Sequence, residues 1–342
     1  MKQATTIEIS LKSVLLVIAT LLLLFVAWKV RGVLIAFFVA YILMSGFAPL
    51  VDWLTKNGVS KTLAVVLTYV LAIGFLAVLL FSVIPPLVEQ IREFITKLPI
   101  YVDWVTNNFN SWWLTNFNSS TVPGVTSENV ANILSSKLDT ALSNLLTVVK
   151  NVFSVFVSFV TIAVFTFYLL LERERIKKNI FRVLPHLPRE KVTSLAHKIE
   201  DKLGAWIRGE AILMLAVGLA TYVGLTILQV DFALPLAVIA GLLEIIPMFG
   251  PTVAAIPAVI IAFVQSPILA IAVVALYILV QQLENNFLVP KIMEKAVGLS
   301  PLVTIFALGV GGTIFGVVGA AMAVPAAAII QVVFEDYLED HQ

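Results

Sequence analysis

Long apolar runs separated by short polar clusters dominate this chain, and their lengths predict helices that cross a bilayer. Runs at 11–28, 33–51, 62–84, 149–171 and 210–228, and a sixth starting at Pro267, approach the ~20 residues that span a ~30 Å hydrocarbon core. Lys29, Arg31 and Gly32 predict a tight turn between the first two, and Pro85-Pro86 closes the third, because proline cannot continue a helix interior. Between 87 and 148 the pattern changes. Ile91, Phe94, Ile95 and Leu98 recur on one helical face and Glu89, Arg92 and Glu93 on another, which predicts amphipathic helices split by the turn-rich NFNSSTVPGVTS. Residues 189–206 form a second amphipathic stretch, with Val192, Leu195, Ile199 and Leu203 along one side.

Two apolar runs are too short to cross. The first, LPLAVIAGLLEIIPMFG at 234–250, rises only about 20 Å as a helix to Ile246 before Pro247, Gly250 and Pro251 break it. Its near-copy lies at 300–316. Sliding the sequence by 66 positions puts Pro235 on Pro301, Ile239 on Ile305 and Phe249-Gly250 on Phe315-Gly316, with 8 of 21 positions identical from 235 to 255. Chance matches of Leu, Ile and Ala are common in so apolar a chain, but Pro and Phe-Gly in one register are not. Short or broken apolar segments in matching places point to a transport site, and irregular backbone at bilayer depth must be covered by protein or line a polar cavity. We therefore expect two helical hairpins, at about 234–263 and 300–325, the second broken at Gly309, Gly311 and Gly312. Each follows one full span, so the second unit is inverted relative to the first. The last helix is expected at 326–338.

The fold class is all-α: a polytopic helical membrane protein with two re-entrant hairpins in an inverted repeat. Composition agrees, with 60% hydrophobic and only 13% charged residues, against about 25% charged in a soluble domain. A net charge of +1 leaves no basic field for nucleic acid, and the absence of cysteine removes disulfides, thiolate metal sites and thiol nucleophiles. The first run lacks a small-residue cleavage site and is expected to be a retained span. From 173 to 208 there are ten Lys and Arg against four acids; from 86 to 147 there are three against five. The positive-inside rule places the former in the cytoplasm and the latter outside, and counting crossings back puts the N-terminus in the cytoplasm. The expected regions are three spans at 1–85 and extracytoplasmic helices at 86–148. A span with a cytoplasmic helix follows at 149–207, and a transport region at 208–342.

Glu244 leads the candidate chemistry, because a carboxylate at bilayer depth costs on the order of 3 kcal/mol even on lenient scales. A second cluster gathers Gln281, Gln282, Glu284, Asn285 and Asn286, with 281, 284 and 285 on one helical face. One carboxylate with several amides suits a small cation or a polyhydroxylated solute; the plainer alternative is the wet end of a helix. Thr313 offers a hydroxyl in the second hairpin. The glycines of GVGGTIFGVVG suit helix packing or a hairpin tip, not a phosphate loop, since no lysine follows in place. His186 and His197 have no partner at ligand spacing, and Glu210 and Asp231, near interfaces, need no special role. No enzyme, cofactor or metal site is expected.

Three stretches carry a family resemblance: LLEIIPMFGPTVAAIPA at 242–258, QQLENNFLVPKIMEKAVGLSPL at 281–302 and GGTIFGVVGAAMAVPAAAII at 311–330. FYLLLERERIKK at 167–178 adds to them. Together they resemble the autoinducer-2 exporter family of bacterial and archaeal permeases. Two positions depart from that pattern: Ser300 where the family often has His, and Glu294 where it often has Gly. The resemblance implies a homopentameric inner-membrane transporter that moves substrate by an elevator-like shift of the hairpin region. It also implies one of two cargoes: a small polar solute such as autoinducer-2, or sodium or lithium exchanged for protons. A non-transporting scaffold is disfavoured, because a scaffold needs neither intramembrane carboxylates nor a paired hairpin repeat.

Overall fold

The computed structural model describes residues 11–75, 156–179, 188–247, 249–293 and 298–339, with scattered positions between 77 and 96. The described elements are all helical: α1 Leu11–Lys29, α2 Arg31–Lys56, α3 Lys61–Phe75, α4 Phe156–Asn179, α5 Arg189–Ile227, α6 Ala233–Leu243, α7 Phe249–Gln265, α8 Pro267–Leu283, a π turn Glu284–Leu288, α9 Val289–Met293 and α10 Pro301–Glu339. Among the described residues five stretches are long and apolar enough to cross a membrane: α2, α4, the 190–227 part of α5, α8 through α9, and α10. Their outer faces expose Leu, Val, Ile and Phe in bands, as a chain solvated by lipid does. The expected helices of 86–148 lie outside the described residues apart from helical positions 89, 93 and 96; position 85, expected to close the third span, is helical as well.

One expected break shrinks to a single residue and another is absent. Val30 alone joins α1 to α2, at φ −96° and ψ 11°; its N–H bonds to the Val26 carbonyl at 2.9 Å, and the Val30 carbonyl accepts from Val33 N–H at 2.9 Å. Antiparallel helices need a loop of about 2–5 residues, so the chain bends here where a tight turn at Lys29, Arg31 and Gly32 was expected. Arg31 lies over the Trp28 ring, 4.3 Å from its centre. The amphipathic stretch 189–206 and the apolar run 210–228 are likewise one helix, α5, of 39 residues. Between them stands Gly209, and glycine without proline costs a helix only about 1 kcal/mol. Helix α5 packs against α2, α6, α8, α9 and α10, and so organises the bundle.

Left-handed residues end two of these helices. After α2, Gly58 (φ +90°) closes a motif in which Val59 N–H reaches the Leu54 carbonyl. After α5 the same geometry falls on Gln229 (φ 55°), with Val230 N–H on the Leu225 carbonyl at 2.9 Å. Val230 and Leu225 are both buried in one apolar cluster, and that contact offsets the roughly 1–2 kcal/mol that a β-carbon costs there.

Small residues let α5 to α8 approach closely. Ala254, Ala258 and Ala262 are fully buried along α7, and Ala240 faces them from α6. Gly241 of α6 lies against the backbone of Gly218 and the Met214 carbonyl of α5, where a β-carbon would sit 2.7 Å from that oxygen. Helix α6 stops at Leu243, three residues earlier than expected. Proline at 247 lacks an N–H and would crowd the Leu243 carbonyl, and it biases Ile246 away from helix. Residues 244–247 turn the chain, with Ile246 N–H on Leu243 O at 3.0 Å and Gly250 N–H on Ile246 O at 2.9 Å.

Helix α10 is also not straight. Gly311 abuts the Gly319 backbone, and a β-carbon on Gly311 would stand 3.1 Å from that of Ala323. Twelve residues of straight helix would separate those positions by about 18 Å, so the chain doubles back. It does so at Gly316 (φ 62°, ψ −143°), giving arms 301–315 and 317–339. This corrects the expected break at Gly309, Gly311 and Gly312, which are helical. Glycine permits a break but does not make one; the reversal needs a dihedral pair that only Gly316 adopts. Glycines 250 and 316, matched in the sequence repeat, thus do different work: Gly250 packs against the Leu243 carbonyl without a positive φ. The last helix, expected to start at 326, is continuous with the second arm through Pro325.

Candidate functional site

Three buried carboxyls lie near one another where α5 passes the broken ends of α6 and α8. Glu244 is 1% exposed and Glu284 3%, and their carboxyl groups lie within hydrogen-bonding reach of each other. Glu210 of α5, 2% exposed, is close enough to act electrostatically on both. Gln281 Nε2 donates to Glu284 Oε2 at 2.8 Å. Glu244 Oε2 and Glu210 Oε1 are buried without a hydrogen-bond partner.

Local sequence explains the placement. Glu244 caps α6 inside the turn that Pro247 forces, so the chain break itself carries the carboxyl. Glu284 begins the π turn, in which Val289 N–H bonds to the Glu284 carbonyl. Proline at 290 would clash with the carbonyl four residues back in a regular helix, and the wider π turn relieves that clash. Both carboxyls therefore sit on irregular backbone, where small rearrangements are least costly.

The expected amide cluster is only partly gathered. Gln281 and Glu284 join the site, whereas Asn285 is exposed. Asn286 donates to Gln282 Oε1 at 2.9 Å on the exposed side. The edge of the buried face runs between Glu284 and Asn285. Thr313 is exposed, and its hydroxyl donates to the Gly309 carbonyl of its own helix at 2.7 Å. Pro247 lies in the turn, Gly250 and Pro251 are buried at the start of α7, and Gly311 and Gly312 line the contact between the arms of α10. Among the described residues no three His, Cys, Asp or Glu are arranged to hold a metal ion.

Glu210 was legible in principle. Leu203, Trp206, Glu210, Leu213 and Val217 are all buried, spaced alternately three and four apart, so Glu210 occupies a core position of the helical seam. A split of α5 near 207 hides that seam. A second group outside the expected site is ionic. Glu200 Oε2 accepts from Arg173 Nε at 2.9 Å and Nη2 at 2.7 Å, and pairs with Lys177 Nζ at 2.9 Å. Arg173 also reaches Asp52 at 2.9 Å, so the cluster ties α2, α4 and α5 together. His197, which is exposed, stands beside it with Nδ1 3.3 Å from Lys177 Nζ. Lys198 pairs with Asp336 at 2.8 Å and Glu339 at 3.1 Å, which fastens the end of α10 to α5.

Comparison with known proteins agrees with this architecture. A family profile described as "AI-2E family transporter" matches residues 15–339. The chain is 26% identical over 305 residues to "Putative transport protein YrrI" of Bacillus subtilis (strain 168), covering 89% of this chain and 85% of that protein. It is 29% identical over 342 residues to "Putative transport protein YueF" of the same organism, at 93% and 90% coverage. It is also 29% identical over 196 residues to "Putative permease PerM" of Escherichia coli (strain K12), at 55% of each chain.

Proposed function

Because the chain belongs to the AI-2E transporter family and is a multi-pass membrane transporter, we propose that it exports a small polar solute such as autoinducer-2 with the Glu244–Glu284 pair carrying the coupling proton. The observation that carries this reading is the pair itself, two carboxyls in contact on the irregular ends of α6 and α8. Two such groups hold one proton between them more readily than they hold two charges. When the surroundings change from dry to wet or a cation arrives, that proton is released.

The movement in this reading is elevator-like. The α6–α7 hairpin and the doubled-back α10 are re-entrant units of an inverted repeat, entering from opposite sides. The Arg173–Glu200 end of the bundle faces the cytoplasm, following the excess of Lys and Arg at 173–208. Assembly as a homopentamer in the inner membrane is part of the same reading, supported by the family resemblance. The second reading is sodium or lithium exchange for protons, favoured by the unpartnered carboxyl oxygens of Glu210 and Glu244, since hard cations prefer oxygen ligands.

The test is flux in proteoliposomes, comparing autoinducer-2, Na⁺ and Li⁺ under an imposed proton gradient. Glu244→Gln, nearly isosteric and unable to ionise, should assemble normally and lose gradient-driven flux, and Glu244→Asp should retain part of it. A Gln variant with wild-type rate and wild-type pH dependence sinks the proposal.

A further inference from the structure

We propose that Glu210 is a third proton-carrying carboxyl of this site, fixed on α5 to exchange the coupling proton with the Glu244–Glu284 pair. The inference rests on the reading of that pair given above. Glu210 has no structural reason to be acidic. Its neighbours in the buried seam, Trp206 and Leu213, are apolar, and Oε1 is buried with no donor facing it. Buried polar atoms are nearly always paired, so a carboxyl oxygen kept unpaired in a core position points to a transient partner. A proton, alternately present and absent, is such a partner.

The backbone brings Glu210 to the pair. At the preceding residue, Gly209, a β-carbon would lie 3.0 Å from Ile292 Cγ2 and 3.2 Å from Met293 Sδ, so glycine lets α9 close against α5. That contact sets the π turn and Glu284 beside Glu210. The charged groups facing Glu210 are Glu244 from α6 and Glu284 from the end of α8; on α5 itself, Arg208 turns to the Gly46 carbonyl at 3.4 Å.

The three carboxyls differ in mobility. Glu244 and Glu284 stand on breaks. Glu210 stands inside an unbroken helix whose earlier turns are held by Arg173 and Lys177 on Glu200 and by the contact of Gly204 with the Ser45 carbonyl. As the hairpin shifts, Glu244 of the pair moves relative to a stationary acceptor. In the transfer an O–H bond of the pair breaks and an O–H bond forms on the Glu210 carboxylate, leaving the negative charge on the pair. The reverse step reloads the pair.

The test uses the full-length protein in pyranine-loaded proteoliposomes, with autoinducer-2, Na⁺ and Li⁺ in parallel. Proton movement and gradient-driven flux are compared with counterflow exchange at equal pH on both sides. Glu210→Gln should slow gradient-driven flux at least about tenfold more than counterflow, and Glu210→Asp should recover part of the difference. A Gln variant in which both modes keep the wild-type ratio overturns the proposal. So does an equal loss of both that Asp does not relieve, since that is the mark of a packing role. Glu244→Gln is run alongside. If it too keeps wild-type coupling, the reading of the pair has failed; if it loses coupling while Glu210→Gln does not, only the role of Glu210 is refuted.

Discussion

The reversal at Gly316 can be tested with a single covalent bond. A β-carbon on Gly312 would stand 3.9 Å from the Ala320 β-carbon, within the roughly 3.5–4.5 Å that a disulfide requires. In an uninterrupted helix eight residues separate these positions by about 12 Å along the axis, far beyond bridging. The chain has no cysteine, so Gly312→Cys with Ala320→Cys introduces the only two thiols. Nothing but Ala320 lies within 4 Å of the new β-carbon at 312, so the substitution should be accommodated. Mild oxidation followed by proteolysis and mass spectrometry should recover the bridged peptide in high yield from membranes. Because the bridge lies within one hairpin, a hairpin that moves as a rigid unit should transport with the bridge closed, whereas an α10 that must straighten should stop. Two free, alkylatable thiols after oxidation would refute the fold-back.

Three further outcomes follow from the same geometry. Gly316→Ala places a β-carbon at φ 62° and ψ −143°, a strained region costing about 1–3 kcal/mol, and should lower the thermal midpoint and slow closure of the 312–320 bridge. Gly309→Ala is the contrast: a helical glycine with nothing within 4 Å, it should be neutral or stabilising by up to about 1 kcal/mol, which a break at 309 would not allow. Arg173→Met leaves the buried Glu200 with Lys177 at 2.9 Å and the His197 ring at 3.9 Å and should cost on the order of 3 kcal/mol, at the low end for a broken buried pair, read as a drop in thermal midpoint that Arg173→Lys partly restores.

The sequence by itself determined the class and where the first hairpin breaks. Apolar runs of bilayer length, few charges and the PMFGP turn are local properties. Proline weights a break without dictating it, since Pro49, Pro257 and Pro325 sit inside helices, and at 247 it acts together with Gly250 and Pro251. Glu244 was visible for the same reason: an acid in an apolar run needs no structure to be conspicuous. The second break was harder, because four glycines between 309 and 316 all permit one, and only packing of Gly311 on Gly319 and Ala323 selects Gly316. The turn expected at Lys29, Arg31 and Gly32 shrinks to Val30 alone, because charge and glycine suggest a loop while hydrogen bonds on both sides of Val30 keep Arg31 and Gly32 helical. Only the tertiary structure could join Glu210, Glu244 and Glu284, which are far apart in sequence and meet where α5 crosses two broken helices. Nor could spacing pair Arg173 with Glu200, since that contact depends on how α4 lies against α5. Local sterics and solvation write breaks and spans into the chain; which buried charges meet is fixed by helix packing, through glycines and alanines whose partners lie elsewhere.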